Sequence, residues 1–277
     1  MRLTFCGVRG STPAPGPEYT CYGGNTSCVA VSRSGEAPSL VVDGGTGLTR
    51  VTKLCGDLAF QGTILLSHLH WDHTHGLPFF SAGARDGHRV DLVLPAPEDD
   101  PLELLARAFS PPHFPVRPEA LGENWSFHRL KEGHTHHEGY RVLAREIPHK
   151  GGQTFGFRIE AGGATFAYLS DHAPLNLGPG TDGQGERHEA ALALAGGADV
   201  LVHDAQFVAS EFPGVAFLGH ASLEYACGLA EEAGVGTLVL FHHSPSRTDD
   251  EITALVGAIP PSPVEVIAAR EGMVIDL

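Results

Sequence analysis

"TILLSHLHWDHTHGLPFF", residues 63–80, runs from an apolar stretch directly into four histidines and one aspartate within eight positions. The apolar run predicts a strand, and the polar residues fall in the loop behind its C-terminal end. His68 and His70, two residues apart, point to one side and can share one ion. Asp72 and His73 then turn toward a second ion, with Gly76 opening the next helix. Imidazoles mixed with a carboxylate suit zinc, with iron or manganese as alternatives. Surface histidines ahead of a helix are the plainer explanation, but four ligand-type residues in an H-x-H-x-D-H arrangement, with His75 just behind, argue against it.

The same residue types recur behind other strand-like runs. His149 follows YRVLAREI, Asp171 ends ATFAYLSD, His203 and Asp204 end DVLVHDA, and His242 and His243 end TLVLFHH. Singly, each has a core or surface explanation, and His172 and His243 fit that explanation best. Together they predict convergence on one rim of a sheet sandwich.

Composition narrows the classes. Hydrophobic residues make up 42% and charged residues 18% of 277 residues, which is enough apolar side chain for a large core. Lys and Arg total 18 against 33 for Asp and Glu, a formal net charge of −15. Such a surface repels a long polyphosphate, so a large nucleic acid is disfavoured, while a small anion at a local cationic centre is not. No apolar run reaches the roughly 20 residues of a membrane-spanning helix, so no membrane partner is expected. The start, MRLTFCGVRG, lacks the apolar stretch of a signal peptide. Five scattered cysteines without a CxxC pair read as reduced thiols, and a cytoplasmic location is expected.

Along the chain, strands are expected at 2–8, 27–33, 39–45, 63–68 and 90–96, then at 125–130, 140–147, 154–161 and 164–171. Helices are expected at 48–58, after Gly76, and at 102–109. Helix and strand then alternate to the end, with Thr248 and Glu251 forming a T-x-x-E capping box for the last helix. Two mixed sheets facing each other under helices bury these runs, giving an α+β, four-layer αββα sandwich and a single domain over 1–277. The proline-rich stretch 95–124, with Phe109, His113 and Phe114, reads equally as a surface excursion or as a lid inserted over a site.

The chain resembles the metallo-β-lactamase superfamily over nearly its full length, and within it the phosphodiesterase branch of ribonuclease Z and the phosphoribosyl 1,2-cyclic phosphate phosphodiesterases. The likeness rests on GVRGSTPAPG (7–16), YGGNTSCV (22–29), VVDGGTG (41–47), SHLHWDHTHGLP (67–78), YLSDHAP (168–174), VHDAQF (202–207), GHAS (219–222), LFHHSPSRTDDEI (240–252) and AREGMVIDL (269–277). It implies a metallo-β-lactamase fold with two divalent metal ions, zinc first and manganese or iron next. By motif matching, His68, His70 and His149 hold one ion; Asp72, His73 and His242 hold the other; Asp171 bridges them. His242 is preferred to His243 on the family's L-x-L-x-H-x-S spacing. His220 and Asp204 fall on the family's G-H-S-T histidine and H-E-A-T carboxylate. Ala221 replaces the usual serine, and Asp204 is shorter than glutamate, which puts the reach between Asp204 and His220 in question.

The implied activity is hydrolysis of a small phosphodiester, cyclic ones included, by a hydroxide shared between two ions. Such ions lower the pKa of water from about 15.7 toward roughly 7. His220, Asp204 and Asp72 form the expected catalytic set. A protonated His220 then stabilises developing charge or protonates the leaving alkoxide. Asp43, in VVDGGTG, is either the partner of a metal-binding histidine or a turn aspartate. A ribonuclease Z-like RNA nuclease is the weaker alternative. The versions of that family with a tRNA-gripping arm carry it between the positions of His149 and Asp171, where this chain has room for only two strands. A superfamily hydrolase of lactones, thioesters or sulfate esters is a further alternative and would not need the His220–Asp204 pair. A homodimer is left open.

Overall fold

The computed structural model describes residues 1–277. Six strands form the first half: β1 (Arg2–Gly7), β2 (Cys28–Ser32), β3 (Leu40–Val42), β4 (Gln61–Leu65), β5 (Arg89–Leu94) and β6 (Trp125–Arg129). Seven follow: β7 (Gly133–His137), β8 (Tyr140–Glu146), β9 (Phe155–Ala161), β10 (Ala164–Leu169), β11 (Val200–Asp204), β12 (Thr237–Phe241) and β13 (Glu265–Ala268); β14 (Val274–Asp276) closes the chain. The helices are α1 (Leu48–Leu54), α2 (Trp71–Thr74), α3 (Pro101–Ala106), α4 (Glu189–Ala195), α5 (Phe212–Val215), α6 (Leu223–Ala233) and α7 (Asp249–Gly257).

Two seven-stranded mixed sheets result, ordered β14-β1-β2-β3-β4-β5-β6 and β13-β12-β11-β10-β9-β8-β7. Each follows one plan. β14 through β3 pair antiparallel and β3 through β6 parallel. β7 through β10 pair antiparallel and β10 through β13 parallel.

Strand alternation explains the layers. Side chains on a strand point to opposite faces in turn. In β2, Val29 and Val31 enter the core between the sheets, while Cys28 and Ala30 face the outer core shared with α1. In β11, Val200 and Val202 face inward and Leu201 packs outward with α4 and α6. Strands covered on both faces read as continuous apolar runs, as these do. The layers are helix, sheet, sheet, helix, the expected αββα sandwich.

Several elements differ from expectation. α1 stops at Leu54, just before Gly56 at φ +57. The helix placed after Gly76 lies before it, as α2; beyond Gly76 come only short 3₁₀ turns, Leu77–Phe79 and Ser81–Ala84. Pro78 supplies no amide hydrogen there and disfavours helical geometry at Leu77. Gly76 itself lies against the Gly45 carbonyl, where any Cβ would collide. β7 was not anticipated. Its sequence GHTHH alternates half-buried and exposed positions at a sheet edge, and histidine gives little strand signal. No helix is long and apolar enough to cross a membrane.

Candidate metal centre

The loops behind the C-terminal ends of the parallel strands meet on one rim, where open α/β sheets usually place ligands. β4 leads to His68, His70, Asp72 and His73; β10 leads to Asp171; β11 ends on Asp204; β12 leads to His242. His149 arrives from the end of β8. The chain thus brings together all nine residues expected at the site.

They form two groups that share one carboxylate. In the first, ligand atoms of His68, His70, His149 and Asp171 lie within 4.8 Å of one another, and in the second those of Asp72, His73, Asp171 and His242 do so. Asp171 divides its oxygens between them. Oδ2 lies 3.6 Å from His68 Nε2 and 3.5 Å from His149 Nε2. Oδ1 lies 3.1 Å from His73 Nε2 and 3.3 Å from His242 Nε2. Asp72 Oδ2 joins the second group, 3.3 Å from His73 Nε2 and 3.0 Å from His242 Nε2. A third grouping of Asp204, His220 and His242 also lies within 4.8 Å. There the Asp204 oxygens already accept from His220, from the Gln206 amide and, at 3.4 Å, from the His172 amide, which makes it a hydrogen-bonded pair beside the other two groups.

The donor set fits metal ions. His68 Nε2, His73 Nε2 and Asp171 Oδ2 are buried without a hydrogen-bond partner, a costly state unless something else engages them. Burial holds the His68 imidazole well below its ordinary pKa, with His73 nearby adding to the effect. Burial likewise lowers His149, to about 4. Both rings are therefore neutral, the form that donates a lone pair. At His73 burial also disfavours the cation, but Asp171, Asp72 and Asp43 outweigh it and raise the pKa, so this position favours positive charge.

Surrounding groups orient the rings, as partners of metal-binding histidines do. Asp43 is buried and lies 2.7 Å from His73 Nδ1. The same carboxylate accepts from the Ser67 amide at 2.7 Å, the Ser67 hydroxyl at 2.9 Å and the Tyr168 hydroxyl at 2.7 Å. Asp43 is thus the partner of a cluster histidine, its carboxylate bonding across the fold and not within a local turn. The His149 Nδ1–H donates to the Gly219 carbonyl at 2.6 Å, leaving Nε2 for the cluster. Gly219 sits at φ +92, and a Cβ there would come within 2.7 Å of Lys150 Cβ, so glycine is required. His243 turns away: its Nε2 lies 3.0 Å from the Ala269 carbonyl, while His242 faces the cluster.

His220 Nδ1 lies 2.8 Å from Asp204 Oδ2, so the shorter carboxylate does reach. Burial opposes the charged ring, but Asp204 overcomes it and holds His220 at about 9. Its ring stacks on that of His242, centroids 4.9 Å apart.

A cavity of about 430 Å³ opens onto the clusters, lined in part by His70, Asp72, Asp171 and His220. Ser11 and Gln206 also line it, and sequence reasoning missed both. The Ser11 amide donates to Asp72 Oδ2 at 2.7 Å from a backbone at φ +62. The only available signals were their places within GVRGSTPAPG and VHDAQF. Segment 95–124 contributes nothing to this cavity. It walls an adjoining groove, and Trp71 belongs to both.

Fold and site define a class: an αββα sandwich whose rim carries histidine–aspartate clusters suited to metal ions. The chain belongs to the β-lactamase superfamily, residues 47–243 matching the family described as "Beta-lactamase superfamily domain". This makes it a metallo-β-lactamase-fold hydrolase. Among curated proteins it is 27% identical to ribonuclease Z of Prochlorococcus marinus, over 88% of this chain and 87% of that one. Among solved structures it resembles the metallo-β-lactamase fold protein YhfI of Bacillus subtilis, at TM-score 0.72 and 19% identity over 99% and 98% of the two chains. It also resembles a diphosphatase of the PhnP family, at TM-score 0.70 and 18% identity over 100% and 97%. At these identities the structural likenesses speak to fold alone.

Proposed function

We propose that the protein is a metal-dependent phosphodiesterase acting on small phosphodiesters, cyclic ones included, and that residues 1–277 work as one domain. The observation that carries this reading is Asp171, whose two oxygens face two separate histidine clusters with His220 beside them. In this reading His68, His70 and His149 hold one divalent ion, Asp72, His73 and His242 hold a second, and Asp171 is common to both. Zinc suits this nitrogen-rich set best, with manganese or iron as alternatives. Two bound divalent ions supply Lewis acidity toward phosphoryl oxygens and lower the pKa of water.

The chain's own groups do the rest. Asp204 accepts from Nδ1 of His220 and favours the charged ring, which leaves Nε2 for the substrate. A cationic imidazole at the cavity wall stabilises negative charge developing on the phosphoryl group and can give its proton to the departing alkoxide oxygen. The Ser11 amide fixes Asp72, and Asp43 fixes His73, so neither ligand reorients during turnover. The acidic surface does not exclude an anion that meets a cationic centre at this rim.

RNA cleavage is the second reading, favoured by the relatives named ribonuclease Z. Against it, residues 150–170 hold only β9, β10 and their short links, with no projecting arm. The deciding experiment gives zinc- and manganese-loaded protein bis(p-nitrophenyl) phosphate, a lactone panel and a precursor tRNA. Turnover of the diester above the other two supports the proposal. Preferred cleavage of a lactone or of the tRNA overturns it.

A further inference from the structure

Beside the metal clusters lies a larger groove of about 720 Å³, within the usual range of small-ligand pockets. Trp71, Phe79, Phe109 and Phe114 form its apolar walls, with Arg107 and His113 at its polar margin. Trp71 is common to this groove and to the metal cavity, so one ligand can span both. Single exposed apolar residues are ordinary, but here Trp71 is 66% and Phe79 59% exposed, both on a concave surface that opens beside the site.

The aromatic groups are held in place. Trp71 stacks on His75, with centroids 5.5 Å apart and planes 20° apart, and it is anchored between His70 and Asp72 in the chain. Phe114 meets Phe79 and Phe109 edge to face, at 6.0 Å and 5.8 Å. The one cationic side chain on the groove, Arg107, already pairs with Asp99 at 2.9 Å. A polyphosphate would find no free guanidinium there and would face a net charge of −15. A planar, uncharged ring with polar edges matches rigid aromatic faces flanked by threonine and histidine side chains.

We propose that this groove seats the nucleoside of a phosphodiester whose phosphate lies at the paired clusters, with Trp71 and Phe79 as the surfaces against which the base packs. The proposal rests on the phosphodiesterase reading for the phosphate, but the groove itself is testable without turnover. Thymidine 5′-(p-nitrophenyl phosphate) and methyl p-nitrophenyl phosphate share a leaving group and differ in the nucleoside. The wild-type protein should favour the thymidine ester in kcat/KM by about tenfold or more, on the usual strength of one stacked base. Trp71→Ala should remove most of that preference, chiefly through KM, and Phe79→Ala a smaller part. Equal kcat/KM for the two esters in the wild type, or a preference that survives Trp71→Ala, overturns the proposal. A binding measurement separates this outcome from failure of the phosphodiesterase reading. Trp125 is buried and Trp71 exposed, so adenosine should quench tryptophan fluorescence saturably, and Phe79→Ala should raise its Kd about fivefold or more. If neither ester is hydrolysed but quenching behaves this way, the groove stands and the phosphodiesterase reading falls. Absence of saturable quenching overturns the nucleoside groove.

Discussion

His220 and Asp204 lie at the ends of different segments, yet their side chains meet at 2.8 Å. Asp204 closes β11 with its carboxylate fully buried, and Gly219 turns the chain so that His220 faces it. If His220 is a general acid, His220→Ala keeps both metal ions and the fold but lowers kcat for a diester with a poor leaving group by about 10²-fold or more. The loss shrinks for p-nitrophenolate, which needs little protonation. Asp204→Asn should show a similar loss, and the double variant no more than either single one, because the two act as a unit. Steady-state kinetics on an alkyl and a p-nitrophenyl diester check this. Tyr168 makes a second case. Its hydroxyl donates to Asp43, which orients His73, so Tyr168→Phe should weaken metal binding by about tenfold or more. A competition titration with a chromophoric chelator reads that change directly. Three positions at this rim carry strain that no side-chain pattern announces: Ser11 and Asp43, both at φ +62, and His242 at φ +57. Such backbone costs on the order of 1–3 kcal/mol and tends to persist at functional sites.

Between elements, Arg9 ties the rim together. Its buried guanidinium donates to the carbonyls of Gly23, Ser244 and Arg247 and to Asp249 at the start of α7. It therefore joins the loop that carries Ser11 to the loop that carries His242. Removing one partner of a buried ion pair costs about 3–5 kcal/mol, so Arg9→Met should be among the most destabilising changes outside the metal ligands. Thr248 with Glu251 caps α7 in full, as the T-x-x-E spacing announces. Thr248→Ala should cost about 1 kcal/mol and lower Tm by about 2–4 °C in thermal denaturation. The contrast follows from physics. A cap is local and legible in four residues, while Arg9 owes its importance to partners more than two hundred positions away. The same limit explains β7 and α2. β7 pairs only at a sheet edge through histidines and threonine, and α2 is a single turn shaped by the ligand loop.

Taken across all 277 residues, the sandwich was legible because strands buried on both faces print as unbroken apolar runs, and the H-x-H-x-D-H loop because few other chemistries crowd such residues together. The convergence of His149, Asp171 and His242 on one rim follows from their places behind strand-like runs, the motif likeness adds their division between two ions, and the fold supplies the cause in the shared rim of two sheets. Ser11, Gln206 and the Tyr168–Asp43 contact were not legible, since their roles come from tertiary approach. The paired clusters make bound ions the proposed source of positive charge at a rim of this acidic protein, with His220 adding to it. Metal stoichiometry tests the shared carboxylate most directly. Elemental analysis of protein saturated with zinc and then freed of loosely bound metal should find two ions per chain, falling to one or fewer in Asp171→Ala. A wild-type protein that never holds more than one ion under metal-replete conditions would contradict the shared-carboxylate centre.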